Sequence, residues 1–496
     1  MSAATTEPRK GGRPTIITGG HLFDTERPFE VGDLLIEDGA IVRAGGRIAA
    51  AGADVIDATG HIVIPGLINA HTHSNQSIEK GLCDALPLDA WMVVASYGGA
   101  GATLHPDDLY LSTLVGALEM LETGTTSVLD CPRCDQRWFD EGMDRIMAAY
   151  ADVGMRANVA AQYSDLDFFG SLPLALIGEE RPGRRTATVT ELLGRVEPYL
   201  ERWKGTHARL HPMLGPSSLP RCSVELFEAS VALARRHGVA LHTHLLSAKS
   251  QVPVARERYG GSTVTFLERM GALEAWTSFA HAIWLDDDEI ALLARSRTTV
   301  VHNPVSNLKL GAGIAPVPAL LAAGVPVALG SDGASSNDSQ NMFETLKAAA
   351  IVQRPVVPRD LWPTAMQTLR MCWDGGARAL RQPIGRLAPG YRADVVLLRT
   401  GDLRVAPKDQ VANQLVYAEL GRSVDIVLVE GEVVVQGGRA VRVDPAAVRR
   451  DAQRLVDGIW SSLAEREKRF AEVGPMLERL EAKVRALPVG FSRFCG

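Results

Sequence analysis

Residues 65–73 read Pro-Gly-Leu-Ile-Asn-Ala-His-Thr-His, and the apolar residues 62–64 lead into them. Residues two apart in an extended strand point to the same side, so His71 and His73 share one side of this segment. Two neutral imidazoles that converge on one point are the beginning of a transition-metal site. A bare His-x-His is more often a pair of surface histidines at a strand end, so this pair needs support from elsewhere in the chain.

Three further apolar runs give that support, because each is followed by a possible metal ligand. The runs and their ligands are 238–241 with His242 and His244, 276–280 with His281, and 325–329 with Asp332. Parallel strands that are buried on both faces read as continuous apolar runs. Catalytic groups of a (β/α)8 barrel stand at the C-terminal ends of such strands. Together the four strand ends predict a mononuclear metal centre at one end of a barrel.

The flanks of the chain have a different pattern from its middle. Residues 14–61 and 384–443 alternate short apolar runs with Gly and Asp turns, which indicates strands joined by turns. Between them, residues 62–383 alternate apolar runs with helical stretches such as 109–122 and 224–237. That alternation predicts parallel βα units. We therefore place the barrel at 62–383 and a separate β domain in the two flanks.

The two ends of the chain carry neither pattern. Residues 1–13 are polar, without an apolar core, and predict a flexible tail that is neither a signal peptide nor a membrane anchor. Residues 444–496 form a C-terminal extension that is rich in Ala, Arg, Glu and Leu at helical spacing up to about residue 487. We expect this extension to pack on its own barrel, with a subunit contact as the alternative.

Composition limits the partners and the compartment. The 496 residues carry 52 Lys and Arg against 58 Asp and Glu, a net charge of -6. No basic patch indicates nucleic acid, and no apolar run is long enough to span a membrane, so a small molecule is the expected partner. Six cysteines are too few for a disulfide scaffold, which favours a reducing cytoplasm. We expect a homo-oligomer, a dimer or larger.

Six segments in one order carry a resemblance that covers roughly 300 residues. They are PGLINAHTH at 65–73, EMLETGTTSVLD at 119–130, GPSSLP at 215–220, HAIWLDDDEI at 281–290, VHNPVSNLKLGAG at 301–313 and LGSDGASSND at 329–338. With these segments the chain resembles the amidohydrolase superfamily. Within it the chain is similar to the branch that holds adenosylhomocysteine, methylthioadenosine and guanine deaminases and the triazine hydrolases.

The resemblance implies a fold and an activity. The fold is α/β, a (β/α)8 TIM-type barrel with a small β-sandwich built from both flanks. The activity is that of a metal-dependent hydrolase, in which a metal-activated water displaces an amino or amine group from an N-heterocyclic small molecule. Alternatives are hydrolytic dehalogenation of a triazine-like ring and hydrolysis of an amide or urea C–N bond. A non-catalytic scaffold is disfavoured, because every expected metal ligand is present.

The resemblance also implies roles for the strand-end residues. His71, His73 and His244 would bind the metal with Asp332, which would also accept a proton from the water. The family motif places the third histidine directly before Leu245, which favours His244, but His242 shares its side of the strand. His281 would orient the nucleophile and stabilise developing negative charge, and a fourth imidazole ligand is the alternative role.

We expect one divalent ion per chain. Three nitrogen ligands, one oxygen ligand and an open position favour zinc, and iron(II) would accept the same set. Binuclear relatives need a bridging Lys or Glu at the end of the fourth strand. The candidate for that strand, residues 208–214, offers neither.

One position departs from the family pattern. Aminohydrolases of this branch carry Glu three residues after the histidine of strand five, where it protonates the ring and the leaving group. Here that position is Ser247, and a hydroxyl is a poor general acid at neutral pH. Either another group, such as Glu79, takes the role, or the substrate needs little proton assistance. The departure weakens the case for an ordinary purine as substrate.

Four further side chains are candidate substrate contacts beside Ser247. Gln76 stands three residues after His73, where triazine hydrolases also place Gln, and Trp91 lies in the long loop that follows. Asn303 and Asn307 follow the strand that ends at His302, and amides suit the edge of a heterocycle because each offers a donor and an acceptor. Loop packing or capping is the alternative for each.

Overall fold

The computed structural model describes residues 12–97, 104–180, 184–401, 410–460 and 463–494. The predicted flexible tail therefore lies outside the described residues, apart from its last two. The strands are β1 Thr15–Leu22, β2 Glu30–Glu37, β3 Ala40–Ala44, β4 Asp54–Asp57, β5 His61–Pro65, β6 Leu67–Thr72, β7 Thr125–Asp130, β8 Arg156–Tyr163, β9 Leu210–Pro216, β10 Leu241–Leu245, β11 Thr277–His281, β12 Thr299–His302, β13 Val327–Leu329, β14 Val395–Arg399, β15 Val424–Val429, β16 Glu432–Gln436 and β17 Arg439–Ala440.

The α-helices lie mainly between the barrel strands and after the last strand. They are α1 Leu88–Trp91, α2 Pro106–Glu122, α3 Phe139–Val153, α4 Val189–Trp203, α5 Val224–His237, α6 Gln251–Tyr259, α7 Thr263–Arg269, α8 Asp287–Ser296, α9 Pro304–Lys309, α10 Val317–Ala322, α11 Ala334–Asn337, α12 Met342–Ile351, α13 Ala365–Arg370, α14 Gly376–Leu380, α15 Val411–Tyr417, α16 Pro445–Trp460 and α17 Leu463–Ala486. None of the described helices is long and apolar enough to cross a membrane.

The barrel consists of the eight strands β6 to β13, which follow one another around it in chain order. Every neighbouring pair is parallel, and β6, β7 and β11 are buried along their whole length. Its first and last strands are joined beyond the end of β13, where the Asp332 amide donates to the His71 carbonyl at 2.9 Å. Strands buried on both faces explain the continuous apolar runs of the sequence. The predicted (β/α)8 barrel is confirmed.

The flanks of the chain combine in one mixed sheet of nine strands beside the barrel. The N-terminal strand β5 pairs in parallel with β1 and antiparallel with β14 of the C-terminal flank, so the two flanks meet there. One apolar cluster joins side chains of both flanks, among them Ile17, Val63 and Val395. This sheet is the small extra domain that the sequence predicted.

The chain crosses from the sheet to the barrel at Gly66. The barrel was predicted to begin at residue 62, but β5 belongs to the mixed sheet and the barrel begins at β6. A Cβ atom at residue 66 would lie 2.0 Å from Thr126 Oγ1, so only glycine fits this crossing. The first histidine strand is thereby fixed directly to the sheet.

The C-terminal extension packs on the barrel of its own chain. Helix α16 lies against α2, and α17 lies against α1 and the short helix Leu174–Ile177. Beyond α17, the Ile314 amide donates to the Arg493 carbonyl at 2.7 Å, and the Phe494 ring lies 5.0 Å from that of Trp284. The extension therefore covers the loops at the end of the barrel that carries the histidines.

Candidate metal centre

Four imidazoles and one carboxylate meet at the C-terminal end of the barrel strands. Asp332 Oδ1 lies 3.5 Å from His71 Nε2 and 3.4 Å from His73 Nε2. The Nε2 atoms of His73 and His244 are 3.4 Å apart, and His281 Nε2 lies 3.9 Å from Asp332 Oδ2. The strand ends that the sequence singled out thus present their ring nitrogens to one point.

The other ring nitrogen of each histidine is held by the protein. His73 Nδ1 donates to the Cys131 carbonyl at 2.6 Å and His244 Nδ1 to the Ser217 carbonyl at 2.7 Å. A carbonyl only accepts, so these contacts fix the proton on Nδ1 and leave the lone pair on Nε2. Orienting contacts of this kind are typical of metal-binding histidines.

His242 lies behind His71 rather than at the centre. Its Nε2 is 2.8 Å from His71 Nδ1, and its Nδ1 is 2.7 Å from Ser278 Oγ. Both of its ring nitrogens are therefore engaged, and the ring buttresses His71. Of the two histidines between which the sequence left a choice, His244 is the one that faces His73 and the centre of the cluster.

Three residues at the strand ends adopt left-handed backbone conformations. The φ angles are 73° at His281, 48° at Ala282 and 65° at Asp332. Non-glycine residues in this region store strain, which persists only where the surrounding structure holds it and is concentrated at functional sites. At Asp332 a bond from the Gly333 amide to Oδ1, at 2.7 Å, fixes the carboxylate in this turn.

Burial keeps His71, His73 and His244 neutral. It lowers the pKa of His71 to about 4 and also lowers the pKa values of His73 and His244. Burial alone would raise the pKa of Asp332, but the contact with the His71 ring and the other neighbouring imidazoles hold it well below its ordinary value. Neutral imidazole and ionised carboxylate are the forms that bind a metal ion, so the cluster is ready for one at neutral pH.

The cluster fits a divalent metal ion. His71 Nε2 is buried and has no hydrogen-bond partner within the described part of the chain. The nitrogen and oxygen ligands of zinc lie at about 2.0–2.2 Å, which places tetrahedral ligands roughly 3.4 Å apart. The separations of 3.4–3.5 Å among His71, His73, His244 and Asp332 agree with that spacing. Strand β9, the predicted fourth barrel strand, has neither Lys nor Glu to bridge a second ion.

A pocket opens above the cluster, and several predicted contacts line it. Gln76, Trp91 and Ser247 are among its lining residues, together with His73, His244, His281 and Asp332. Both Gln76 and Trp91 are tied to Ser335, which donates to Gln76 Oε1 at 2.7 Å and accepts from Trp91 Nε1 at 3.3 Å. The loop after β6 is thereby fixed to α11.

The other two predicted contacts lie around His281. Asn307 Oδ1 accepts from His281 Nδ1 at 2.9 Å, and Asn303 Nδ2 lies 3.3 Å from the same nitrogen. Both amides are buried and do not line the pocket. The bond to Asn307 orients the His281 ring. Glu79 is buried as well, and it is not among the residues that line the pocket.

Three further residues of the pocket wall were not predicted from the sequence, namely Gln251, Asp89 and Arg221. Gln251 bonds to Ser247 twice, as Nε2 donates to Ser247 Oγ at 3.0 Å and the Ser247 amide donates to Gln251 Oε1 at 3.1 Å. Asp89 and Arg221 also line the pocket. The segment GPSSLP pointed to the loop next to Arg221, but no motif pointed to Gln251 or Asp89.

The sequence of residues 62–434 matches the family model described as the amidohydrolase family. The chain belongs to the amidohydrolase family. It is 36% identical over 439 residues to the 5-methylthioadenosine/S-adenosylhomocysteine deaminase of Desulforudis audaxviator, covering 87% of this chain and 96% of the relative. It is 34% identical over 424 residues to the 5'-deoxyadenosine deaminase of Methanothermobacter thermautotrophicus, covering 85% and 93%.

The fold of this amidohydrolase is also similar to those of solved structures. An adenosine deaminase from Xanthomonas campestris with bound zinc has a TM-score of 0.80 at 28% identity, covering 90% of this chain and 98% of that one. Atrazine chlorohydrolase from Arthrobacter aurescens TC1, complexed with zinc, has a TM-score of 0.80 at 27% identity, covering 89% and 100%. The divalent metal expected from the sequence is in keeping with both.

Proposed function

We propose that this amidohydrolase is an aminohydrolase, which uses a metal-activated water to replace the amino group of an N-heterocycle by oxygen. The observation that carries the proposal is the convergence of four Nε2 atoms and one carboxylate at the floor of a pocket. The deaminase relatives, which cover most of the chain, support the same reaction.

The proposed ligands are His71, His73, His244 and Asp332, which would hold one divalent ion. Zinc is the proposed ion, because this donor set suits it and both of the structural relatives described above contain it. Iron(II) would accept the same ligands. When bound, such an ion lowers the pKa of a water towards ~7 and supplies hydroxide at neutral pH.

The remaining steps fall to side chains of the chain itself. Asp332 accepts the proton of the attacking water, since its carboxylate is ionised and lies between the imidazoles. His281, whose Nδ1 proton is held by Asn307, turns Nε2 to the reacting centre and orients the nucleophile. Gln76, Trp91 and Ser247 contact the heterocycle from the walls.

The substrate proposed is a small aromatic heterocycle with an exocyclic amino group, of the adenosine type on which the deaminase relatives act. Displacement of halide from such a ring is a second candidate. It is favoured by Ser247, because chloride departs without a proton, and by the structural likeness to a chlorohydrolase.

The test is a product assay with the metal-loaded enzyme. A panel of purine nucleosides and triazines, each with an amino, alkylamino or chloro substituent, is incubated and assayed for ammonia, amine and chloride. We expect ammonia from at least one amino-substituted ring. Chloride release alone would replace the first candidate by the second, and turnover only of amides or ureas would contradict both.

The cellular compartment of the enzyme is proposed from the state of its cysteines. The five described cysteines are free and buried, which is in keeping with the reducing cytoplasm expected from the sequence. The homo-oligomer expected from the sequence stays a prediction, to be checked by light scattering.

A further inference from the structure

The pocket keeps a carboxylate although position 247 is a serine. Among the described residues that line it, the acidic ones are Asp332, at the metal cluster, and Asp89. Asp89 lies on α1 in the long loop after the first histidine strand. An amino group that leaves an aromatic carbon must gain a proton as it departs, and Ser247 is too weak an acid to give one.

Asp89 reaches the wall that holds Ser247. Asp89 and Ser250, which stands three residues after Ser247, line the same two cavities. The next residue, Gln251, bonds to Ser247 through both of its amide atoms. A carboxylate from the β6 loop thus adjoins the wall where the family's own acid would come from the β10 loop.

The C-terminal extension holds α1 in this position. Ala90 and Val93, on either side of Trp91, pack in one apolar cluster with Leu477 and Leu480 of α17. Trp91 itself is tied to Ser335 on the other side of the loop. Helix α1 is therefore fixed from two directions, which a short helix of four residues could not achieve alone.

We propose that Asp89 is a catalytic acid of this amidohydrolase, donating the proton that the departing amino group requires, and that α17 positions it. The inference rests on the proposed aminohydrolase function. The C–N bond breaks with its electron pair on nitrogen, which takes the Asp89 proton and leaves as ammonia, while the new C–O bond comes from water. The water's proton, accepted by Asp332, returns through solvent to Asp89, so that water and the aminated ring give ammonia and the hydroxylated ring.

The surroundings of Asp89 suit an acid. Burial raises the pKa of Asp89 to about 6, and the negative charge of Glu481 on α17 adds to the effect. Among the described residues, the charged or titratable side chains that line the two cavities adjoining Asp89 are Lys249, Glu478, Glu481 and Arg485 on one side and His73, Arg221, His244, His281 and Asp332 on the other.

The first experiment compares leaving groups with the metal-loaded Asp89→Asn variant. On an amino-substituted heterocycle we expect kcat to fall by about 10²-fold or more, the usual contribution of a positioned acid. On the same ring with chloride in place of the amino group we expect less than about threefold loss, because chloride needs no proton. Equal losses on both substrates, or no loss on the amino substrate, would overturn the proposal.

The second experiment measures how kcat depends on pH in variants of Asp89 and of two glutamates on α17. Because Asp89 acts when protonated, kcat on the amino substrate should fall as pH rises through its pKa, and the fall should be absent in Asp89→Asn. Glu481→Gln removes a negative charge, so the fall should move to lower pH, whereas the matched Glu478→Gln on the same helix should leave it in place. Equal shifts in both variants would contradict the role given to Glu481.

A third measurement does not depend on turnover. In the infrared difference spectrum of the wild-type and Asp89→Asn holoenzymes, a protonated carboxyl band should titrate near the pKa of Asp89. The absence of this band at pH 5 would contradict the proposal.

Ser247→Glu added to Asp89→Asn should restore deamination, because it returns an acid to the position that the family uses. If the double variant is no more active than Asp89→Asn, the assigned step is wrong. If Asp89→Asn releases ammonia as fast as the wild type, the role of Asp89 is wrong but the proposed function stands. If the wild type releases no ammonia, the proposed function itself is wrong.

Discussion

Each imidazole at the centre uses one ring nitrogen for the protein and presents the other to the metal site. Backbone carbonyls fix His73 and His244, and a side-chain amide fixes His281. His71 differs, because another histidine, His242, holds its Nδ1. These contacts set the tautomer and the direction of each ring, which contributes to the affinity for the metal beside the identity of the ligands.

Removal of a ligand should empty the centre. We expect the purified protein to carry about one divalent ion per chain, and His71→Ala, His73→Ala and Asp332→Ala each to lose most of it. His242→Ala serves as the comparison, since removal of an orienting partner costs about 10–100-fold in affinity rather than the whole site. Elemental analysis measures the metal content of each variant, and competition with a chelator measures its metal affinity.

Two stoichiometric ions per chain would contradict the single-metal proposal. A His242→Ala variant without metal, beside a His244→Ala variant that retains it, would reverse the assignment of those two histidines.

His281 should matter more for turnover than for metal content. We expect His281→Ala to retain most of its metal and to lose roughly 10²–10⁴ in kcat, the scale of a positioned acid–base group. Asn307→Ala, which releases the ring without removing it, should have a smaller effect in the same direction. Metal loss in His281→Ala as complete as in His73→Ala would make His281 a ligand.

At the scale of elements, strand ends supply the ligands and loops supply the walls. The positive φ angles at His281 and Asp332 turn the chain at the end of β11 and just beyond β13, so the rigid barrel holds both side chains. The walls come from α1, α6 and the loop after β9, which are separate in the chain. Helix α17 packs on α1 and on the helix Leu174–Ile177, which follows β8.

Loosening α17 should therefore affect substrate more than metal. Leu480 is 1% exposed in the cluster with Ala90 and Val93, and Leu480→Ala removes its contacts at a cost of about 2–5 kcal/mol when the site cannot collapse. We expect a higher KM and a lower kcat with the metal retained. Val448→Ala in α16, which packs on α2 away from the pocket, is the control. Equal kinetic effects in the two variants would contradict a pocket-specific role for α17.

At the scale of the whole molecule, one buried ion pair joins the barrel to the mixed sheet. Arg156 of β8 donates to Asp394 twice, at 2.8 and 3.1 Å, and both side chains are almost completely buried. Asp394 also accepts from Ser127 Oγ and from the Glu430 amide. Burial raises the pKa of Asp394, but the Arg156 charge and these bonds outweigh it, and the net pKa is lowered.

Breaking this pair should destabilise the protein by about 3–5 kcal/mol, because it leaves a charge buried alone. We expect that loss of unfolding free energy in Asp394→Ala, measured by denaturant, and a much smaller loss in the double variant Arg156→Met/Asp394→Leu. The folded pKa of Asp394 lies below its unfolded value of about 3.9, so the stabilisation is present above that pH and is lost as pH falls through the folded pKa. A double variant as unstable as Asp394→Ala would contradict this account.

The fold and the strand-end residues of this protein follow largely from the local pattern of apolar and polar residues. Apolar runs predict buried parallel strands, the i, i+2 spacing puts His71 and His73 on one side, and the flanking alternation predicts a second sheet. Barrel topology then brings the strand ends together. For these reasons the barrel, the extra domain and the convergence of the strand-end histidines with Asp332 could be predicted from residue types and their order.

The sequence by itself could not decide which histidine of His242 and His244 faces the metal cluster. It also could not decide which residues line the wall of the pocket. His242 and His244 have the same periodicity, and only the neighbouring strands decide that Ser278 and His71 enclose one while the Ser217 carbonyl orients the other. Asp89 carries no motif, and its role depends on α17, nearly 400 residues later. Periodicity reports the direction of a side chain, whereas its partners and its dielectric surroundings depend on long-range packing, which tertiary structure alone determines.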